Sequence, residues 1–247
     1  MEIISKTDIT WFPNSWIRLR INKKVIYFDP AYLKTYFSKY PDKTEYSKWP
    51  DPIDGMPNGL EKADLIFITH HHKDHCKRVT VDRLLKLDTI IFAPKSCLKE
   101  LGDRINLVKP NETLQIDNGI SLKVLNAYNT QQGTSTIKQH KKGIGVGFIL
   151  TIDGLSFYHL GDTDFLVEME EVKDIHVAFV PIGGKFTMNI DEAVKTTLSI
   201  NPKIVIPIHN LGQDFWEFQN KLNDKGKNIR CIIPTIGQPI KVQKQRD

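Results

Sequence analysis

In "WIRLRI", Trp16 to Ile21, apolar and polar positions alternate. Ile17, Leu19 and Ile21 point one way; Trp16, Arg18 and Arg20 point the other. Period two marks a half-buried strand. "DITWF" precedes it and "KVIYFDP" follows, with "INKK" as the turn between. The three predict an antiparallel meander that ends at Asp29-Pro30. Continuous apolar runs come next: "ADLIFITH", "TIIFAP", "HVAFVPIGG" and "KIVIPIHN". Runs of this kind suit strands buried on both faces. "ISLKVLNAYN" reads as a strand, and "GVGFILTIDGLSFYHLGDTD" as a hairpin turning at Asp153-Gly154. "CIIPTIGQPIKV" supplies the closing strands.

Helical spacing separates these strands. "TVDRLLKLD" carries Val81, Leu84 and Leu85 on one face, and "KSCLKELG" is a short helix stopped by Gly102. "NIDEAVKTTLSINP" has Asn189 or Asp191 to cap it and Pro202 just beyond its end. "DFWEFQNKLND" is the last helix. Each half thus runs from antiparallel strands into strand-helix-strand. An α/β fold of four layers, αββα, with two mixed sheets flanked by helices would bury all of these runs. We expect one domain over residues 1–247, with its halves meeting near the Asn126–Gly143 loop. Residues 31–62 form a polar, Pro-rich stretch that reads as an insertion or lid, although a surface excursion without a role fits as well.

Composition adds limits. With 247 residues, 40% hydrophobic and 26% charged, the chain can bury a sizeable core. Its apolar runs are strand-sized, so no membrane span is expected. The opening "MEIISKTDIT" lacks the apolar stretch of a secretion signal, and cytoplasmic residence is the default. A net charge of +5 suits an anionic small-molecule substrate but is too small and scattered for nucleic acid. A homo-oligomer is compatible with the chain. Cys76, Cys97 and Cys231 form no CxxC pair and read as reduced thiols, with Cys76 placed to stand beside a metal.

The chemistry concentrates in "IFITHHHKDHC", Ile66 to Cys76. His70, His72, Asp74 and His75 crowd the turn that follows a buried strand. Irregular backbone there can aim several side chains at one small volume, and imidazole and carboxylate are good ligands for divalent ions. His71 should face away. His140, Asp162 and His209 also fall at strand borders. Alone, an Asp in "GDTD" fits a turn and a His after a strand fits a core, but together they repeat one pattern.

"THHHKDH", followed in order by His140, Asp162 and His209, resembles the HxHxDH signature of the metallo-β-lactamase fold superfamily. "ITWFPNSWIRLRINKKVIYFDP" is similar to its opening meander. "HKKGIGVGF", "LSFYHLGDTD" and "VPIGGKFTMNIDEAV" are similar to one branch, the predicted metal-dependent hydrolases related to L-ascorbate-6-phosphate lactonase. The resemblance implies two divalent ions, zinc first, with manganese, iron or nickel as substitutes. His70, His72 and His140 would hold one, Asp74, His75 and His209 the other, and Asp162 would bridge them. His159 is the rival of His140. A water shared by two such ions falls in pKa to about 7. A bridging hydroxide is then ready to cleave a small anionic ester, lactone or phosphodiester. Asp74 would also steady that nucleophile, and Asp29 would orient a ligand histidine. His159, Lys185 and Tyr128 are candidates for the general acid. Lys138, Lys141 and Lys142 would attract an anionic group, or merely form a solvated face. One departure stands out: the branch often has Gly-His where this chain has "FPNS", so Asn14 or Ser15 takes that place. Alternatives on the same fold are an RNA-processing nuclease, a di-iron oxidoreductase and a silent binding protein.

Overall fold

The computed structural model describes residues 6–32, 59–226 and 228–243. The expected lid at 31–62 lies mostly outside them. The chain forms two compact units: one takes the residues up to Leu107 together with those from Thr235, and the other is Val108–Pro234.

The first unit is built on a seven-stranded sheet. Strands β1 (Lys6–Phe12), β2 (Trp16–Ile21) and β3 (Lys24–Phe28) form the expected antiparallel meander. Parallel to β3 follow β4 (Leu65–Phe67), β5 (Ile90–Ala93) and β6 (Asn106–Leu107). Phe28, Phe67 and Phe92 are register partners, and their rings stack at 5.1 and 5.5 Å across β3, β4 and β5. Helices α1 (Arg78–Leu84) and α2 (Leu98–Leu101) bury Val81, Leu84 and Leu101 in a cluster with Trp16, Tyr27, Ile66 and Ile68.

Three expectations here need correction. Helix α1 stops at Leu84, because Leu85 is extended (ψ 141°) and turns its side chain onto the same core. Strand β4 is short: at Thr69 the backbone N–H leaves the ladder and donates to the Asp29 side chain. Trp16 does not lie on an open polar face. It is fully buried, with the Phe12 ring 4.6 Å away and the Tyr27 ring 6.3 Å away.

The second unit carries another seven-stranded sheet. Strands β7 (Thr113–Asp117), β8 (Ile120–Ala127), β9 (Gly145–Ile152) and β10 (Leu155–His159) are antiparallel. Strands β11 (Val177–Pro181), β12 (Ile204–Ile208) and β13 (Arg230–Cys231) continue it in parallel. Asp153 and Gly154, at φ 52° and 72°, make the tight hairpin turn between β9 and β10. Helix α3 (Ile190–Ile200) is capped by Asn189, whose side chain accepts from Glu192 N–H. It ends at left-handed Asn201, just before Pro202. Helix α4 (Phe215–Asn223) is capped in the same way by Asp214. The two helices cover one sheet face through Ile190, Val194, Phe218 and Leu222.

The chain then returns to the first unit. Its last strand, β14 (Pro239–Gln243), pairs antiparallel with β1. The division between units falls after Leu107 and not in the Asn126–Gly143 loop. The reason is β7, which hairpins onto β8 and so starts the second sheet early. "TLQID" carries no apolar run to announce it: on this edge strand Leu114 and Ile116 are half-buried and the residues beside them are exposed. Two mixed sheets flanked by helices are the fold class that the sequence predicts.

Candidate metal centre

The first cluster lies where β4 runs into α1. A tight turn, with His75 N–H and Cys76 N–H both donating to His72 O, folds "HHHKDHC" back on itself. His70, Asp74 and His75 become buried and His72 half-buried, while His71 stays exposed as expected.

Beneath them sits Asp29, fully buried and in the left-handed region at φ 45°. Its carboxylate can only accept hydrogen bonds. It takes Thr69 N–H on Oδ1 at 2.7 Å, and on Oδ2 both Thr69 Oγ1 and His75 Nδ1 at 2.7 Å. His75 therefore carries its proton on Nδ1. Thr69 spends its hydroxyl proton on Asp29, so its oxygen is free to accept from His70 Nδ1 at 3.0 Å. One carboxylate thus fixes the tautomers of two histidines, the second through Thr69. In both, the neutral ring leaves Nε2 with a lone pair. His75 Nε2 stands 3.6 Å from Asp74 Oδ2, and His70 Nε2 stands 2.9 Å from His72 Nδ1. Asn14 occupies the turn between β1 and β2 and donates from Nδ2 to Asp74 Oδ2 at 3.3 Å.

The second cluster belongs to the other unit. Asp162 follows β10, His209 follows β12 and His140 lies on the loop before β9; all three are buried. Asp162 Oδ2 is 3.3 Å from His140 Nε2 and 3.3 Å from His209 Nε2. The acceptors facing His140 Nδ1 are Phe186 O at 3.1 Å and Asn129 Oδ1 at 3.2 Å. The ring thus keeps its proton on Nδ1 and turns a lone pair toward Asp162. Gly183 is needed near His209, because a Cβ there would come within 2.7 Å of the His209 carbonyl oxygen.

The rival histidine has the opposite arrangement. His159 Nδ1 accepts from Gly161 N–H at 3.2 Å, so its Nε2 carries the proton. It is buried at the end of β10, with the Phe179 ring 6.0 Å away.

Two supports were not visible in the sequence. Asn129 accepts His140 N–H at 2.8 Å, donates from its side chain to Phe186 O at 2.9 Å and donates its own backbone N–H to His140 O. Asp164 is fully buried and gathers the loop that leads to His140. It accepts from Thr130 N–H, Ser135 N–H, Ser135 Oγ and Lys138 Nζ, all between 2.8 and 3.1 Å. Lys138 is thereby a structural group. Lys142 lies over the Tyr128 ring at 5.4 Å and Lys185 over the Phe186 ring at 5.3 Å. Cys76 is not placed as a ligand: its hydrogen bond with Cys97, and then burial, hold the thiol well above the usual range, and it packs in the core.

Two lone pairs, those of His75 Nε2 and His140 Nε2, face a carboxylate when their rings are neutral. Such contacts are repulsive unless a cation lies between them. Ligands about 2.1 Å from a tetrahedral ion are roughly 3.4 Å apart, close to the two 3.3 Å distances around Asp162. The donor set of imidazole and carboxylate therefore fits a divalent metal.

Comparison with known proteins agrees. A family model described as a beta-lactamase superfamily domain matches residues 8–209. The UPF0173 metal-dependent hydrolase of Methanosarcina mazei is 28% identical over 95% of this chain and 98% of its own. That of Archaeoglobus fulgidus is 30% identical over 74% of this chain and 84% of its own. A crystal structure of a putative metal-dependent hydrolase from Parabacteroides distasonis superposes with a TM-score of 0.76, at 29% identity and 94% coverage of both chains. With this fold, these clusters and these relatives, the chain belongs to the beta-lactamase superfamily domain family, in the group formed by the UPF0173 proteins.

Proposed function

We propose that this chain is a metal-dependent hydrolase of small anionic esters, lactones or phosphodiesters. His70, His72, Asp74 and His75 from one unit would act with His140, Asp162 and His209 from the other to hold two divalent ions, zinc foremost. On this reading residues 1–247 work as a single domain. The observation that carries it is the Asp162 carboxylate oxygen, 3.3 Å from two imidazole nitrogens. At His140 the proton sits on Nδ1, so a neutral ring turns its Nε2 lone pair to that carboxylate. The relatives named metal-dependent hydrolases support the reaction class.

Divalent ions held there supply a nucleophile at neutral pH by acidifying water, and stabilise negative charge developing on the substrate. The protein's own groups do the rest. Asp29 and Thr69 keep the lone pairs of His75 and His70 exposed. Asp74 orients the attacking group by accepting its hydrogen bond. His159 bears its proton on Nε2 and is the donor to the leaving group. Lys141 and Lys142, next to His140 in the chain, attract an anion.

The test is elemental analysis followed by activity on a panel of lactones, phosphodiesters and thioesters. About two divalent ions per chain are expected, and Asp162→Ala should lose metal and turnover together. Full metal occupancy and activity in that variant would overturn the assignment.

A further inference from the structure

His140 stands on a loop, with no strand or helix of its own to aim its ring. Asn129 grips it at both backbone groups: Asn129 N–H donates to His140 O at 2.8 Å, and Asn129 Oδ1 accepts His140 N–H at 2.8 Å. The same stretch of chain is tied to the segment that carries Asp162. Tyr128 O accepts Asp164 N–H at 3.1 Å, and Tyr128 N–H donates to Thr163 Oγ1 at 3.2 Å. The orientation of the Asn129 amide is forced. The His140 backbone N–H needs its oxygen, and Phe186 O, 2.9 Å away, needs its nitrogen.

These contacts choose between two neutral forms of the His140 ring. With the proton on Nδ1, the ring meets two acceptors, Phe186 O at 3.1 Å and Asn129 Oδ1 at 3.2 Å. With the proton on Nε2, it would donate to Asp162 Oδ2 at 3.3 Å and turn the Nδ1 lone pair against both oxygens. A hydrogen bond to a carboxylate is roughly twice as strong as one between neutral groups, so a single carbonyl would lose the contest with Asp162. Asn129 tips it in two ways. Its Oδ1 is the second acceptor, and its Nδ2 holds Phe186 O in place. We propose that Asn129 is a positioning residue. It keeps the His140 proton on Nδ1, and so prevents His140 and Asp162 from closing on each other through a hydrogen bond that a metal would have to break. This rests on the reading above only in taking His140 and Asp162 as metal ligands.

The two tautomers are told apart by long-range proton–nitrogen NMR of the histidine rings, in metal-free protein at an alkaline pH where the rings are neutral. His140→Gln identifies the signal. Native protein should show the proton on Nδ1. Asn129→Leu, similar in size but without the acceptor, should move it mainly to Nε2. Asn129→Asp keeps an acceptor and should keep the native tautomer. Zinc affinity, read by competition with a chromophoric chelator, should fall about 10–100-fold in Asn129→Leu and stay within about threefold of native in Asn129→Asp. Four results overturn the proposal: an Nε2 proton in native protein, the native tautomer in folded Asn129→Leu, zinc held equally tightly by native protein and Asn129→Leu, or loss of the native tautomer in both variants, which would assign the effect to loop packing. If neither variant folds, the native tautomer decides. Native protein that keeps its proton on Nδ1 but binds no zinc refutes the metal reading alone, and one that binds zinc but cleaves nothing refutes only the hydrolase reading.

Discussion

Asp29 Oδ2 lies 2.7 Å from His75 Nδ1, and neither side chain reaches solvent. The same oxygen holds the hydroxyl of Thr69, which in turn receives His70. A buried carboxylate is costly to desolvate, and here it is matched by a backbone amide, a hydroxyl and an imidazole. Asp29→Asn removes the charge and leaves an amide that must set its NH₂ against donors. Metal affinity should fall about 10–100-fold, as measured by competition with a chromophoric chelator. Unchanged affinity would mean that the tautomers of His70 and His75 are set by something else.

How much of this was legible beforehand follows from chain distance. His70, His72, Asp74 and His75 are near neighbours in sequence, so their convergence needs only one turn. Asp29 is legible because it ends a strand. Asn129 and Asp164 are not. Asn129 meets Phe186, 57 residues away, and Asp164 gathers partners 26 to 34 residues distant. In the sequence both are ordinary polar loop residues. The strand pattern was legible wherever burial was strong. It failed at β7, where two half-buried apolar residues, Leu114 and Ile116, are too short a pattern to mark a strand, and at Trp16, where a residue on the polar side is covered by Phe12 and Tyr27.

Asp164 should matter more than its position in a turn suggests. It is a buried anion whose charge is balanced by Lys138, with three neutral donors around it. Asp164→Ala strips the loop of its centre and leaves buried donors unmatched. A loss of about 2–4 kcal/mol is expected, read by denaturant unfolding, with faster proteolysis between residues 130 and 138. Gly133→Ala should act in the same direction, because its Cβ would fall 2.2 Å from Asp164 Cγ. Wild-type protease resistance in both variants would show that the loop is held elsewhere.

Asp64 gives the chain a dependence on acid. Burial alone would raise its carboxyl, but the Lys86 ammonium at 2.7 Å and the Val25 amide at 2.7 Å outweigh it and bring it below the usual range. The folded state thus favours the ionised form. That contribution is complete above the unfolded carboxylate pKa of about 3.9, and is lost as pH falls through the lower folded value. Asp64→Asn should lower stability slightly at neutral pH, because solvent screens the exposed Lys86 ammonium and weakens the pair. The gap between variant and native should close in unfolding experiments carried below about pH 4. A gap that stays constant down to pH 2 would assign the effect to shape and not to charge.

Metal removal should lower stability without abolishing the fold, since each unit has its own hydrophobic cluster. A ligand that binds only the folded state adds about 2.7 kcal/mol at one hundred times its dissociation constant, so saturating zinc should raise the melting temperature of native protein well above its value in EDTA. Asp162→Ala should respond in the opposite sense. Without metal, and with the ring neutral, the native carboxylate faces the lone pair of His140 Nε2 at 3.3 Å, an unfavourable contact that the substitution removes. In EDTA the variant should therefore be at least as stable as the native chain, and in zinc clearly less so. Stability at functional sites is commonly traded in this way, because groups arranged for a ligand repel one another in its absence. If Asp162→Ala is the less stable protein in both buffers by the same margin, the carboxylate is a structural group and the metal lies elsewhere.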